Sequence, residues 1–344
     1  MDWFLDGRKT REALELATSL HWFCYRFGHF SEGQMWLEKA LDQDLDQGGG
    51  SELDKLEAQA TRALAWMVFI QGDWLRSREL YARSLRLFRD LGEPAGEALA
   101  LSGLGVAERW LGDHEQGTKH VEEAIVVARR AGHPLGIAYA LIFAYATTGG
   151  KFGGPPPRAE LEQALELARR WGDRWAIAHA LNGLGDLFRE LEQHSEARPH
   201  YQEALKSFRA LKDRWMTAWT LEGLGAVSES LGEHMKAESC FQESLALFSQ
   251  LGDRGNCVYM LGRLGVAARA RGAGDRAACL LGAYKGLRES FVFSSARGKE
   301  IFDREVSEAF TSSRIEQPEQ WIYGKAMVLE QAIEYALQGM KPAV

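Results

Sequence analysis

The chain has 344 residues, 46% apolar and 26% charged, an ordinary composition for a protein with a packed core and a solvated surface. Its formal charge of −7 and pI near 5.8 argue against a large nucleic-acid footprint, which would need Lys and Arg clustered on one face, so no direct DNA or RNA partner is expected. The longest unbroken apolar run, Ala63 to Ile70, is far too short to cross a bilayer.

The start, MDWFLDGRKTREALELA, carries Asp2 and Asp6 and lacks a basic stretch followed by an apolar one. No signal peptide is visible, and a cytoplasmic location is expected. Thr10 to Phe27 then reads as a helix with Trp22, Phe23, Tyr25 and Phe27 near its end, followed by a Gly28-His29-Phe30 turn and a partner helix over Ser31 to Leu41. A flexible insert, Gln47 to Gly50, follows at little entropic cost. Apolar spacing predicts helix pairs at 55–71 with 74–91, 95–111 with 114–131, 135–148 with 158–171, 175–191 with 194–211, 215–231 with 234–251, and 255–271 with 274–290. In the fourth pair of the chain, a glycine- and proline-rich stretch from Thr147 to Pro157 replaces the tight turn and is a candidate ligand edge or hinge. After Ser290 the pattern ends; Phe291 to Arg297 reads as a loop before two amphipathic segments, 298–312 and 319–338, expected to form a cap.

The organising unit is Leu181 to Leu211, two apolar helical runs separated by Glu192-Gln193-His194-Ser195. Within it Leu184-Gly185, Phe188, Ala197, Tyr201 and Ala204 keep the spacing of the tetratricopeptide signature, in which small residues let two helices approach and large ones fill the gap. Steps of forty residues link Gly105, Gly185, Gly225 and Gly265, and link Tyr81, Val121, Leu161, Tyr201, Phe241 and Leu281. The usual tetratricopeptide period is about 34 residues, so both helices should be longer here by most of a turn. A lone helical hairpin cannot bury its apolar face, whereas stacked hairpins share one continuous core. The expected fold is therefore all-α, a right-handed superhelical solenoid of antiparallel helix pairs with repeats of about forty residues: seven pairs over 1–290 and a helical cap over 291–344. Gly185 within a helix should cost about 1 kcal/mol relative to Ala, a cost that close helix packing offsets.

The segments EALELATSLHWFCYRFGHFSEGQMWLEKAL and ACLLGAYKGLRES with EQWIYGKAMVLEQAIEYAL resemble the tetratricopeptide region of bacterial LuxR-type and related (SARP-type, MalT-like) ATPase transcriptional regulators. The resemblance implies a regulatory interaction or sensor region, with an ATPase or DNA-binding module in cis or in trans. No GxxxxGK[ST] phosphate loop occurs in the chain itself; Phe293 stands where the glycine upstream of Gly298-Lys299 would be.

Motifs for chemistry are missing: no HExxH, no zinc spacing, no nucleophile elbow and no dinucleotide fingerprint. No enzymatic activity, metal or cofactor is expected. Cys24, Cys240, Cys257 and Cys279 form no CxxC pair and read as buried free thiols, and His114, His194 and His234 read as solvated turn residues. The first helix of each pair, here the A helix, lines the concave groove of a tetratricopeptide superhelix. In the register set by Gly185, the groove-facing candidates are Arg26, Arg62, Trp66, Arg109, Tyr139, His179, Asn182, Asp186, Arg189, Trp219, Glu222 and Tyr259. Aromatics offer contact area and arginine holds carboxylates or phosphates bidentately, so a peptide, partner protein or small effector is the expected ligand. Trp22 joins the basic, aromatic first half, while Asp186, Glu190, Glu222 and Glu229 should make the second half acidic. The competing reading is a free-standing assembly adaptor that binds partners through its outer surface.

Overall fold

A computed structural model describes residues 10–42, 50–132, 134–148, 158–288 and 317–338. Among them are sixteen helices and no strand. Fourteen form seven consecutive pairs: α1 (Thr10–Phe27) with α2 (Phe30–Leu41), α3 (Gly50–Ile70) with α4 (Trp74–Asp90), α5 (Pro94–Trp110) with α6 (His114–Ala131), α7 (Pro134–Thr148) with α8 (Arg158–Trp171), α9 (Arg174–Glu190) with α10 (His194–Leu211), α11 (Arg214–Ser230) with α12 (His234–Gln250), and α13 (Arg254–Ala270) with α14 (Gly274–Leu287). Odd-numbered members are the A helices. The all-α fold of packed helix pairs is as the periodicity implies.

The turns repeat at half the period. Gly72, Gly92, Gly112, Gly132, Gly172, Gly232, Gly252 and Gly272 all have φ between 60° and 94°, and Glu192 (59°) and Lys212 (57°) occupy the same left-handed place. The residue after most of them bonds back five positions, as in Asp113 N–H to Glu108 O (2.9 Å) and Asp253 N–H to Phe248 O (2.9 Å). That is a Schellman cap, which ends one helix and at several turns delivers an acid to the start of the next. Asp73, Asp113 and Asp253 then accept the N–H three residues on, at 3.1, 3.2 and 3.1 Å, satisfying a donor the first turn leaves open.

The tail departs from expectation. The segment expected over 319–338 is two helices, α15 (Pro318–Lys325) and α16 (Leu329–Leu337), because Val328 is extended (φ −78°, ψ 162°) and gives its N–H to the Gln331 side chain. The 43–49, 149–157, 291–297 and 298–312 stretches, which hold nearly all of the expected insert, loops and first cap segment, lie outside the described residues.

Packing defines two compact units, Met1–Leu184 with Leu211–Asp213, and Gly185–Ala210 with Arg214–Val344. Trp321, Met327, Leu329, Ala332 and Ala336 of α15 and α16 share one core with Phe241, Phe248, Leu261 and Tyr284. α15 crosses α14 nearly backbone to backbone: a Cβ on Gly282 would stand 2.4 Å from Trp321 O, and one on Gly286 2.5 Å from Lys325 O. In the first unit a Cβ on Gly103 would meet Tyr81 at 2.2 Å and one on Gly105 would meet Val121 at 2.6 Å. Equivalent bonds recur in each unit, Ser84 Oγ to Ala58 O and Ser244 Oγ to Ala218 O, both 2.8 Å. Among the described residues no helix is long and apolar enough to cross a membrane.

Candidate binding sites on the A helices

In the first unit, α1, α3, α7 and α9 bring together five aromatic rings. Trp22 lies edge-on to Tyr25 (5.8 Å) and to Trp175 (5.5 Å), Tyr25 is tilted against Trp66 (5.7 Å), and Tyr139 against Trp175 (5.4 Å). Arg26 and Arg62 are half-buried beside them, and the Tyr139 hydroxyl lies within electrostatic reach of both guanidiniums. Arg26 Nε is enclosed without a hydrogen-bond partner, and neither arginine forms an ion pair among the described residues. Burial lowers the Arg62 pKa, with the Tyr81 and Tyr139 hydroxyls opposing the shift.

The carboxylates adjoining this cluster are already engaged. Asp173 caps α9 by accepting the N–H groups of Trp175 and Ala176, both at 3.0 Å, and its other oxygen accepts from Tyr139 Oη at 2.9 Å. Fully buried Asp213 accepts from Trp175 Nε1 at 3.2 Å and lies beside the Tyr25 hydroxyl, whose pKa rises well above the usual value through burial and then that negative charge. His179 is 3.7 Å from the Trp175 ring, and burial lowers its pKa to about 3, so it is neutral at ordinary pH.

In the second unit Arg189 and Arg263 of the A helices are matched by carboxylates. Tyr201 Oη donates to Asp186 Oδ1 at 2.6 Å and accepts from Arg189 Nε at 3.1 Å. Tyr259 Oη donates to Glu222 Oε1 at 3.0 Å, while Arg263 places Nη2 3.0 Å from Glu229 and Nε 3.7 Å from Glu222. The acidic half expected from Asp186, Glu222 and Glu229 is thus corrected to a compensated network. Arg263, two residues before Gly265, is not among the twelve groove candidates.

Of the twelve candidates, Arg26, Arg62, Trp66, Tyr139 and His179 gather in the first unit, with Asn182 half-buried further along α9. Arg109 is corrected. It is only 4% exposed, and its Nη1 donates to Thr118 Oγ1 (3.0 Å) of its own hairpin, where Gly117 leaves room for its stem. Asp186, Arg189, Glu222 and Tyr259 belong to the second unit's network, and Trp219 is tilted against Tyr259 at 6.3 Å. His114, His194 and His234 are half-buried at the first positions of α6, α10 and α12 rather than fully solvated. Sequence reasoning missed Trp175 and Trp215. Their signal is the triplet Asp-Arg-Trp at 173–175, repeated forty residues on at 213–215. Among the described residues no group of three or more His, Cys, Asp or Glu could hold a metal ion.

Residues 158–210, spanning α8 to α10, match the tetratricopeptide repeat family model. No curated protein sequence matches the chain. Solved structures with a similar fold include apo RapI (12% identity, 71% of this chain and 85% of that one, TM-score 0.55). A Rap protein complexed with competence and sporulation factor is similar over 95% of this chain and 98% of its own, at 13% identity and TM-score 0.54. A signal transduction ATPase with numerous domains and a tetratricopeptide repeat sensor, from Pyrococcus horikoshii, is similar over 93% of this chain and 55% of its own, at 15% identity and TM-score 0.51. At such identities the likeness is one of fold.

Proposed function

We propose that the chain is a non-enzymatic interaction or sensor module, working in bacterial signalling or transcriptional regulation, that takes the anionic group of a peptide, partner protein or small effector on the A helices of its first unit. The observation that carries this is the contrast between the two units. Arg189 and Arg263 are matched by carboxylates, whereas Arg26 and Arg62, half-buried among aromatic rings, have no ion pair among the described residues. A cation removed from bulk water and left unmatched is unfavourable, and an arriving anion relieves that state. The Rap complex with competence and sporulation factor and the archaeal ATPase with a repeat sensor, both similar in fold, support a recognition role.

The test is a thermal-shift and calorimetric screen of the full chain against acidic peptides and anionic metabolites. Arg62→Ala should weaken any captured ligand tenfold or more, about 1.4 kcal/mol or above, without changing the circular dichroism. A charge change at exposed Lys206 on α10 should do little. Binding that depends on Lys206 and ignores Arg26 and Arg62 would replace this reading with the outer-surface adaptor.

A further inference from the structure

The seat in the first unit combines two half-buried cations with three half-buried aromatic rings. Trp22, Trp66 and Tyr139 are each only half-buried, so part of each ring stays accessible beside the half-buried Arg26 and Arg62. Tyr25 and Trp175, fully or nearly buried at 0% and 6% exposure, back these rings and hold them in edge-on and tilted packing. A rigid aromatic wall of this kind keeps its faces in place without a ligand, which lowers the ordering cost of binding.

Charge then selects the head group. Two guanidiniums share the seat, and Asp173 and Asp213 already accept from N–H and O–H donors of their own unit. A monoanion would leave one positive charge unmatched in a partly desolvated site, whereas a phosphate monoester carries about −1.5 to −2 at neutral pH and offers oxygens for both forks. His21 and His179 are neutral there, so the two arginines supply the positive charge. An inorganic anion would satisfy the arginines but leave the indole and phenol faces in contact with water. A ring attached to the oxyanion removes that water and stacks, adding offset or edge-to-face contacts.

We infer that this seat takes a doubly charged oxyanion carried directly on a flat aromatic ring, the chemistry of an aryl phosphate. The inference rests on the reading of Arg26 and Arg62 as the anion seat. The group could arrive as a free small molecule or as the side chain of a phosphotyrosine peptide; the chemistry at the seat is the same.

Tryptophan fluorescence and calorimetry of the full chain, titrated with phenyl phosphate, inorganic phosphate and phenol, test it. Phenyl phosphate should quench the fluorescence and bind at least tenfold more tightly than inorganic phosphate, and phenol should not bind measurably. Arg26→Met and Arg62→Met should each weaken phenyl phosphate tenfold or more. Trp66→Leu should bring phenyl phosphate down towards inorganic phosphate while leaving the latter unchanged; Trp22→Leu, at a second half-buried ring of the seat, serves the same purpose if Trp66→Leu fails to fold. A phosphotyrosine peptide that outcompetes phenyl phosphate assigns the source to a protein, and one that does not assigns it to a small molecule. Equal, Arg62-dependent affinity for phenyl phosphate and inorganic phosphate would overturn the aromatic requirement but keep the anion seat. Phosphate binding indifferent to Arg26 and Arg62, or no binding of either phosphate, overturns the seat itself.

Discussion

A Cβ placed on Gly185 would stand 2.8 Å from Tyr201 Cδ1, so the Tyr201 ring lies where the next smallest side chain would begin. From its other side Gly223 gives the same ring access, with a Cβ there 2.6 Å from Tyr201 Cε1, and Gly225 does this for Phe241 at 2.4 Å. Gly185→Leu and Gly225→Leu should each destabilise by about 1–3 kcal/mol or more, read as a lower thermal midpoint, because the fully buried rings have nowhere to retreat. An unchanged midpoint in both would contradict the helix contacts.

Trp175→Phe removes the Nε1 donor to Asp213 while retaining most of the ring. Asp213 is fully buried, so its carboxylate would lose a donor it cannot replace with water. The expected loss is about 1–3 kcal/mol. Trp215→Phe makes the same change towards Asp253, at 3.3 Å in the second unit, and should act in the same direction. If Trp175→Phe unfolds in denaturant at the wild-type midpoint, the indole bond contributes nothing to stability.

Glu192 holds a φ of 59° where nine other turns of the array use glycine. Glu192→Gly should therefore raise stability by some tenths of a kcal/mol, the left-handed strain removed being partly offset by the freer unfolded chain. Gly232→Ala, at φ 75° with open space around its Cβ, should lower it by about 1 kcal/mol. Opposite signs in paired denaturation curves are the expected result.

Burial lowers His179 from the ordinary 6.5 to about 3 and His21 to about 4, the latter with Arg62 as a lesser contributor. Below the unfolded pKa, the unfolded chain binds protons that the folded chain refuses. The stability linked to these histidines is complete above about pH 6.5 and is lost as pH falls towards 4 and then 3. The His21→Gln, His179→Gln double variant should lose less stability than wild type between pH 6.5 and 4. Identical slopes in denaturant midpoint against pH would show that the two imidazoles do not titrate as described.

Period, helix bounds and the glycine contacts are legible in the sequence because each depends on residues that recur at forty, and recurrence separates them from chance. The candidate site is legible only in part. Arg26, Arg62 and Trp66 follow from the register, but Arg109 and Glu222 have the same polar signature whether they meet water or a neighbouring helix. Only the fold brings Thr118 to one and Tyr259 to the other. Trp175 stands ten residues before Gly185, N-terminal to His179, the first groove candidate on its helix, although its Asp-Arg-Trp context recurs.

The indole-to-acid bonds give the array a direction. In both, the donor precedes its acceptor by thirty-eight residues, so each bonded acid at the start of an A helix depends on the repeat before it. Removing a following repeat leaves an indole N–H that water can satisfy, whereas removing a preceding one strips a donor from a carboxylate. Shortening these repeats from their two ends is therefore unequal. Loss from the C-terminal side leaves the remaining acids with their donors, and loss from the N-terminal side withdraws one at each new edge.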